Sequence, residues 1–594
     1  MHERSIDPIH TRRAGRWHAA AALPGLLLLL HAAAPASGQA PPAIVDTTIN
    51  DFFQPGTQPE TLNEPVIAGA ACTLCHASFD PETAPYDRWS VSIMAQAGRD
   101  PLFWACLAIA EQDAAASGDL CLRCHAPSGW LEGRSVPTDG SALTGINDFD
   151  GVTCDHCHRM VDAVYTPGVS PPDDLAILNA LTDPPVAPHS GQYIVDPNDI
   201  RRGPFDLVPG FGFHEWRRSP FHRDAAMCGT CHDVSNPVFV RQGDSYVPGD
   251  LDTPHPSHDR YEEFPVERTY SEWLASAFAQ GPIDMGGRFG GNLTEVSSCQ
   301  DCHMPDASGY GCSFTGSSIF RNDLPRHDLN GSHTWVLDSI MNLDATLELY
   351  DTPAYMSPLL LDAAKARNVG MLEAASDMEL SREGAGLKVR IINQSGHKLP
   401  SGYPEGRRIW INVRFLDGAG EVIQEHGHYD FDSALLATND TKVYETKLGL
   451  DETMAAATGL PEGESFHFAL NNKIYKDNRI PPRGFTNAGF EAVQAAPVAY
   501  AYADGVHWDD TLYPIPPASH SAEVTVYYQT ASREYIDFLR DENITNNAGE
   551  VLHTQWELSG KGPPVAIDSG YQSLAACGPE THTERPPLVQ SHYA

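Results

Sequence analysis

Five copies of one short pattern, Cys-x-x-Cys-His, lie between residues 72 and 303 of this chain. The chain has 13 Cys and 26 His among 594 residues, so chance would produce far fewer than one copy. On average only about 46 residues are available per copy, which is too few to build a separate protein core around each. The copies are CTLCH at 72–76, CLRCH at 121–125, CDHCH at 154–158, CGTCH at 228–232 and CQDCH at 299–303.

This spacing is the attachment signature of c-type haem, in which both thiols form thioethers with the porphyrin and the adjacent histidine binds iron. A zinc knuckle or a redox dithiol does not need a histidine after every second cysteine. The sequence therefore predicts five covalently attached haem c groups. The attachment residues are Cys72, Cys75, Cys121, Cys124, Cys154, Cys157, Cys228, Cys231, Cys299 and Cys302, and the proximal iron ligands are His76, His125, His158, His232 and His303.

The haems must then supply most of the core of residues 41–345, the predicted pentahaem domain. We expect helices and loops around porphyrin faces, with little sheet. Periodicity predicts helices over 88–118 and 266–281, and the Pro- and Gly-rich stretch 165–210 predicts long surface loops. The short separation of the second and third motifs predicts that their haems are neighbours.

After residue 345 the spacing of apolar residues changes from the helical period to the alternation of β-strands. A connecting helix is expected within 346–375, followed by an antiparallel β-sandwich over 376–560 and a Pro-rich, weakly ordered tail over 561–594. The predicted fold class is therefore α+β and multidomain, a mainly helical multihaem domain followed by the sandwich. The expected regular elements are strands at 386–393, 408–427 (two strands and a Gly turn), 464–470 and 521–530, and a helix at 532–543.

The first 40 residues read as an export signal. Arg12, Arg13 and Arg16 precede the apolar run 19–34, and small residues follow it. No later segment is long and apolar enough to span a bilayer. The formal charge of −39 argues against nucleic acid and favours partner proteins with basic docking patches. We expect a periplasmic or otherwise exported location.

Three cysteines lie outside the motifs. Cys106, in the apolar run "LFWACLAIA", is predicted to be a small core residue. Cys312 and Cys577 are candidates for a disulfide in an oxidising compartment, although nothing in the sequence requires one.

Segments around the motifs carry a resemblance to a known superfamily. "WSVSIMAQAGRDPLFWACLAIA" precedes the second motif, and "GVTCDHCHRM", "MCGTCHDVSNP", "SCQDCHMPD" and "RHDLNGSHTW" follow in that order. Residues 70–345 thereby resemble the multihaem cytochrome c superfamily, in its cytochrome c-552/4-like branch. "NQSGHKLPSGYPEGRR" is similar to a loop of exported multihaem proteins that carry a C-terminal β-domain.

The resemblance implies electron transfer through closely packed haems. Some relatives, such as hydroxylamine oxidoreductase and pentahaem nitrite reductase, are enzymes. The catalytic haem of the latter typically uses lysine in place of the motif histidine, whereas all five motifs here end in histidine. The resemblance thus favours a carrier over an enzyme.

The second axial ligand decides whether a haem only carries electrons or has an open iron. His327 is the first candidate, because it follows the last motif in a segment similar to a ligand-bearing one. His222 and His214 precede the fourth motif. Met94 stands where relatives often place a histidine near the first haem. It is either an axial ligand or core filler on an apolar helix face, and in the latter case the first haem is open.

The remaining histidines of the haem region carry weaker expectations. His156 lies inside its own attachment turn and is expected to face solvent. His189, His255 and His258 lie in Pro-rich loops and are expected to be exposed; His333 is a further spare histidine.

His397 lies in the Gly- and Pro-rich loop between two predicted strands. It is either a surface histidine or an iron ligand that crosses from the β-domain to a haem. In the second case Lys398 or Arg407 is free to pair with haem propionates.

Three functions remain open at this stage. The favoured one is an exported pentahaem cytochrome that carries electrons between respiratory partners. The alternative is a haem oxidoreductase with one open iron, acting on a small nitrogen or sulfur oxyanion, with catalytic residues unknown. The β-domain could also be a docking module.

Overall fold

The computed structural model describes residues 43–207, 213–314, 318–344 and 356–574. The predicted export signal and Cys577 lie outside the described residues. Within these ranges, no helix has the length and apolar character needed to cross a bilayer.

Short helices joined by loops dominate the region that contains the motifs. Capping side chains or prolines begin many of these helices, and most of the helices end after one or two turns. The helices are α1 (Thr73–His76), α2 (Pro85–Trp89), α3 (Pro101–Asp113), α4 (Gly118–His125), α5 (Pro127–Leu131), α6 (Gly145–Phe149), α7 (Cys154–Arg159), α8 (Asp174–Ala180), α9 (Ala225–Gly229), α10 (Thr269–Leu274), α11 (Cys299–His303) and α12 (Trp335–Asp344).

The same region contains more sheet than expected. The strands pair as β1–β2, β3–β4, β6–β5–β7, β8–β9 and β10–β11, antiparallel except for β3–β4. The strands are β1 (Met160–Val161), β2 (Ile194–Val195), β3 (Ile200–Gly203), β4 (Glu215–Arg218), β5 (Val234–Gln242), β6 (Ser245–Pro248), β7 (Glu263–Glu267), β8 (Ile283–Asp284), β9 (Glu295–Val296), β10 (Asp306–Gly309) and β11 (Arg321–Pro325).

Longer strands follow residue 375, as the change of period predicts. They are β12 (Ser376–Glu383), β13 (Gly386–Asn393), β14 (Arg408–Leu416), β15 (Val422–His426), β16 (Tyr429–Asp430), β17 (Leu435–Leu436), β18 (Val443–Tyr444), β19 (Thr446–Leu450), β20 (Gly463–Glu464), β21 (Lys473–Asp477), β22 (Trp508–Pro514), β23 (Ser521–Gln529) and β24 (Val565–Ser573). The helices of this part are α13 (Pro358–Ala374), α14 (Glu452–Thr458), α15 (Asn487–Ala492), α16 (Arg533–Asp541) and α17 (Ala548–Leu558).

Two antiparallel sheets meet in one apolar cluster. One sheet has the order β12–β13–β22, and the other has the order β15–β14–β23–β24 with β18 paired to β14. Alternate side chains of β13, such as Val389, are fully buried, and they share this cluster with Val413 of β14 and Val526 of β23. The strands predicted at 386–393, 408–427 and 521–530 are confirmed; burial alternates along β13 and β23, whereas β14 is buried along nearly its whole length.

Four sequence expectations are corrected. The helix expected over 88–118 is interrupted between α2 and α3, because the residue before Pro101 is disfavoured in helical conformation. The helix expected over 266–281 is reduced to α10 and a short 3₁₀ turn. Of the strand expected at 464–470, only Glu464 lies in a strand, the short β20. Residues 565–573, expected in a weakly ordered tail, instead form β24, whose backbone pairs with β23.

A second apolar cluster joins residues from both sides of the predicted domain boundary. It contains Leu102 and Ile109 of α3, Trp335 of α12, Tyr535 of α16 and Trp556 of α17. Cys106 of α3 is buried in the same cluster, as predicted, and its sulfur lies 3.1 Å from the Tyr535 hydroxyl. The helices after β23 thus complete the core beneath the attachment motifs.

Candidate functional site

Each motif is shaped by about one turn of helix. Because residues three and four apart share a helix face, one turn brings the two thiols and the histidine together. Capping side chains fix two of these turns. The hydroxyl of Thr153 accepts from the backbone N–H of His156 at 3.1 Å, and Ser298 caps α11 by accepting from Asp301 at 3.3 Å.

Thiols of different motifs contact one another. The thiol of Cys72 lies next to that of Cys154, that of Cys124 next to Cys231, and that of Cys228 next to Cys299. The first motif therefore lies beside the third, and the fourth lies beside both the second and the fifth. The proximity of the second and third haems stays a prediction; Cys124 of the second motif and Cys157 of the third both lie near Cys231.

The backbone orients three of the motif histidines. The Nδ1 atoms of His76, His158 and His303 lie 2.7, 2.7 and 2.5 Å from the carbonyl oxygens of Gly311, Arg202 and Asn330, respectively. A carbonyl only accepts, so each Nδ1 carries the proton and each Nε2 keeps a lone pair. This second hydrogen bond is the support that metal-binding histidines usually have.

Burial also favours the metal-binding form of the imidazole. Desolvation lowers the pKa of His125 and of His303 to about 4, and that of His327 to about 3. These rings are neutral at pH 7, and the neutral imidazole is the form that coordinates metal ions.

Two motif histidines have another imidazole facing them. The ring of His303 lies 6.4 Å from that of His397, with 21° between planes. The ring of His158 lies 6.0 Å from that of His327 and 5.6 Å from that of His222. With metal–nitrogen bonds of about 2 Å, two imidazoles on opposite sides of one ion have centroids roughly 6 Å apart.

His327 and His222 are both held by a backbone carbonyl. Nε2 of His222 lies 3.0 Å from the Cys157 carbonyl oxygen, and its buried Nδ1 has no hydrogen-bond partner. The His327 ring donates to the Pro325 carbonyl. The 6.0 Å separation of His327 from His158 is nearer to the spacing of two imidazoles on one ion than the 5.6 Å of His222, which favours His327.

His214 and Met94 have other surroundings. His214 is half-buried next to His76, with Nδ1 3.3 Å from the Glu215 carbonyl oxygen. Met94 lies in the turn between α2 and α3, not on a helix face as expected. Its carbonyl accepts from Val152, which places its backbone at the start of the third motif.

A carboxylate stands beside the fourth motif histidine. Nδ1 of His232 lies 3.6 Å from Oε1 of Glu267, and the His232 side chain is 53% exposed. Desolvation acts to lower the pKa of His232, but the Glu267 carboxylate outweighs it and raises the pKa to about 9. Sequence reasoning missed Glu267, because no spacing links it to the motif. At the second motif, the Phe103 ring stacks on His125 with centroids 4.1 Å apart.

Three histidines expected at the surface are buried. His156 packs edge-on against Tyr193 with centroids 4.7 Å apart. His189 and His255 lie beneath the β5–β7 sheet, near the buried carboxylate of Glu263. The Pro-rich loop turns inward there, because Nε2 of His189 bonds the His258 carbonyl at 2.9 Å. His258 itself is half-buried.

The loop that carries His397 is fixed to α10. Glu272 of α10 accepts from the backbone N–H of Lys398 at 3.0 Å and from the Ser401 hydroxyl at 2.7 Å. The Lys398 ammonium is buried and donates to Asp477 at 2.7 Å, so it is not free for a propionate. Arg407 keeps a buried Nε without a hydrogen-bond partner.

The donor set fits c-type haem. The motif cysteines are half-buried, unlike Cys106. A neutral imidazole follows them at four of the five motifs, whereas the Glu267 carboxylate favours the protonated form of His232. Cys312 is also half-buried.

Comparison with known proteins gives one structural similarity. A crystal structure of a penta-heme cytochrome c552 from Thermochromatium tepidum aligns with a TM-score of 0.46 and 15% sequence identity, covering 86% of this chain and 100% of that one. No protein-family model matches the sequence, and no curated protein matches it significantly.

Proposed function

We propose that this chain is an exported pentahaem c-type cytochrome that carries electrons between respiratory redox partners. The five attachment motifs support the cofactor, with two thiols and one proximal histidine each. The N-terminal signal supports export to the periplasm or another extracytoplasmic space. The charge of −39 supports partners with basic docking patches.

One observation carries the proposal most directly. His303 and His397 face each other at 6.4 Å, and both hold their Nδ1 protons on backbone carbonyls. Both Nε2 lone pairs are therefore available for one iron. His303 and His397 would hold one iron between them and would leave no place there for substrate, which suits single-electron transfer.

The residues of the chain have three tasks in this function. The motif thiols hold the porphyrin, and the carbonyls of Gly311, Arg202 and Asn330 set the orientation of the proximal rings. The buried core around α3, α16 and α17 excludes water. Haem supplies the reversible one-electron iron couple. We further propose that the two sheets after residue 375 form a β-sandwich domain that delivers His397.

The alternative is an oxidoreductase with one open iron, and the fourth motif is where the structure favours it. His232 is half-exposed, and the Glu267 carboxylate beside it, whose pKa lies below its ordinary value, can accept and pass on a proton. That pairing suits reduction of a small nitrogen or sulfur oxyanion, which consumes protons with electrons. Catalytic residues beyond this pair are not assigned.

A haem assay on the purified protein tests the proposal. A pyridine haemochrome measurement should give five haem c per chain, and reduced-minus-oxidised spectra should show low-spin haem. Fewer than four haems would overturn it. A high-spin fraction that shifts on adding nitrite, hydroxylamine or cyanide, and that changes with Glu267→Gln, would favour the oxidoreductase instead.

A further inference from the structure

The fourth attachment motif lies at the centre of the thiol contacts. The thiol of Cys231 lies next to that of Cys124 in the second motif, and the thiol of Cys228 lies next to that of Cys299 in the fifth. Cys157 of the third motif is close to both thiols of the fourth. The fourth motif thus borders the second, third and fifth motifs.

The first motif reaches this centre through the third. The thiol of Cys72 lies next to that of Cys154, and the His76 ring is close enough for its charge to act on His158. By these contacts, the first and third motifs connect to the second and fifth through the fourth. Groups attached through neighbouring thiols lie side by side, so the fourth motif is the junction of the path between them.

The histidine of the fourth motif also has a different kind of partner. The Nδ1 atoms of His76, His158 and His303 lie next to neutral backbone carbonyls. Nδ1 of His232 instead lies 3.6 Å from Oε1 of Glu267, a carboxylate at the end of β7 whose side chain is 12% exposed. Little solvent surrounds this carboxylate, so its charge is only weakly screened.

Neighbouring groups hold Glu267 in place and favour its charged form. The Thr269 hydroxyl donates to Oε1 of Glu267 at 3.1 Å and accepts from the backbone N–H of Gly402 at 3.1 Å. Arg407, in the same loop as Gly402, is close enough for its charge to act on Glu267. A donor and a cation beside a carboxylate stabilise the ionised form. The loop that carries His397 therefore also supports Glu267.

A negative charge beside an iron ligand changes the balance between the two oxidation states. Oxidised iron carries one more positive charge than reduced iron, so a nearby carboxylate stabilises the oxidised form and lowers the reduction potential. A carboxylate at Nδ1 also raises the basicity of the ligating imidazole, which acts in the same direction. A carbonyl carries only a partial charge, so the effect should be largest at the fourth motif.

We propose that Glu267 is a positioning residue that lowers the reduction potential of the haem at the fourth motif below those of its neighbours, and thereby controls electron exchange across this junction. The inference rests on the proposed function and deepens it by assigning the route within the chain. Each exchange moves one electron from one iron to the next, and Glu267 stays ionised throughout. A low potential at the junction slows the passage of electrons, because each electron must rise in energy to cross it.

The test uses the complete haem-loaded protein in a potentiometric titration followed by optical and electron paramagnetic resonance spectra. Glu267→Gln keeps the shape of the side chain and removes its charge. We expect the equilibrium of one haem to shift toward the reduced form by about tenfold, which is about 59 mV for one electron, and the others to shift by less than about twofold. Glu262→Gln, at an exposed position beside β7, is the matched control and should shift each haem by less than about twofold.

The conservative variant separates charge from packing. Glu267→Asp retains the carboxylate, so its potentials should stay closer to those of the parent protein than the potentials of Glu267→Gln do. The spin states should be those of the parent in both variants, because the axial ligands are unchanged. Equal shifts in Glu267→Gln and Glu262→Gln would overturn the role of Glu267. A changed spin state in Glu267→Gln would also overturn it, because the carboxylate would then hold the ligand in place rather than adjust the potential.

Reduction by a flash-excited flavin tests the junction. Electrons placed on the parent protein should redistribute in a slow phase, and this phase should be up to about tenfold faster in Glu267→Gln, because the reduced state of the fourth motif is easier to reach. A raised potential with an unchanged slow phase would overturn the junction. If the protein holds fewer than four haems, the proposed function fails; if it holds five that dithionite reduces and Glu267→Gln shifts no potential, only this inference fails.

Discussion

The imidazoles of His303 and His397 lie 6.4 Å apart with nearly parallel planes, although one ends the last attachment motif and the other lies in the loop after β13. Glu272 of α10 fixes that loop through the Lys398 backbone and the Ser401 side chain. The β-rich part of the chain thus supplies one half of a bis-imidazole pair.

Replacing His397 should open one iron. We expect His397→Ala to convert one of five low-spin haems to high-spin, while all five stay attached, because attachment depends only on the motif residues. Electron paramagnetic resonance and a pyridine haemochrome measurement check this. His428→Ala, at an exposed histidine that bonds Glu425, is the control and should leave the spectrum unchanged. An unchanged spectrum in His397→Ala would show that the loop is only structural.

The two imidazoles that face His158 should behave differently. His327→Ala removes the ring whose centroid lies 6.0 Å from that of His158, near the spacing of two imidazoles on one ion, so one haem should become high-spin. His222→Ala removes a ring whose Nε2 already bonds the Cys157 carbonyl, so the spin state should not change. The same spectra compare both variants. The reverse result would assign the ligand to the unpartnered Nδ1 of His222.

The buried ion network next to His397 should be essential for stability. Burial alone would raise the pKa of Asp477, but Arg479 and Lys398 lower it to about 2. Asp477→Asn leaves these two cations without their main partner and should cost about 3–5 kcal/mol of unfolding free energy in denaturant titrations. Asp510→Asn, which breaks the more exposed pair with Arg390, should cost less than about 1 kcal/mol. Similar losses from both variants would contradict this account.

Glu405 should make the protein less stable as pH rises. Burial raises its pKa to about 8 from an ordinary value of 4.5. Between these two values the folded protein binds more protons than the unfolded one, so the free energy of unfolding falls as pH increases.

Glu405→Gln keeps an acceptor for the Asn471 side chain and removes the ionisation. We expect the variant to be more stable than the parent at pH 8 by a few kcal/mol, because each tenfold change in proton affinity corresponds to about 1.4 kcal/mol. At pH 4.5 the two proteins should be nearly equal in stability. Thermal unfolding at several pH values measures the difference. Glu452→Gln, at an exposed position in α14, controls for loss of charge; an equal effect there would contradict the assignment to Glu405.

Sequence patterns predicted those strands and helices in which the apolar residues recur at a regular spacing. β13 has Val389 and its neighbours on one face, and α13 lies within the predicted connecting segment. Prediction was wrong where a proline or a strand pairing decided the structure against the spacing of the apolar residues. Pro101 begins α3 and ends the helical path before it, and β24 forms because its backbone completes an edge of β23.

Within the site, the sequence predicted the candidate ligand side chains but not the groups that hydrogen-bond to them or pack against them. The carbonyl acceptors of Gly311, Arg202 and Asn330 are backbone groups, which any residue type offers, so no motif encodes them. Glu267 and Phe103 reach their motif histidines through tertiary packing alone. The candidates His327 and His397 were identified from their segments, and the structure places both opposite motif histidines.

The packing of α3 against α16 and α17 also bears on the order of events during biogenesis. In the proposed export from the N-terminus, all five attachment turns would emerge before the residues of α16 and α17 arrive. Until then α3 would lack the partners that cover Cys106 and Ile109. The ten motif thiols would consequently remain within reach of the attachment machinery through most of translocation, and the last helices would close the molecule over the proposed cofactors.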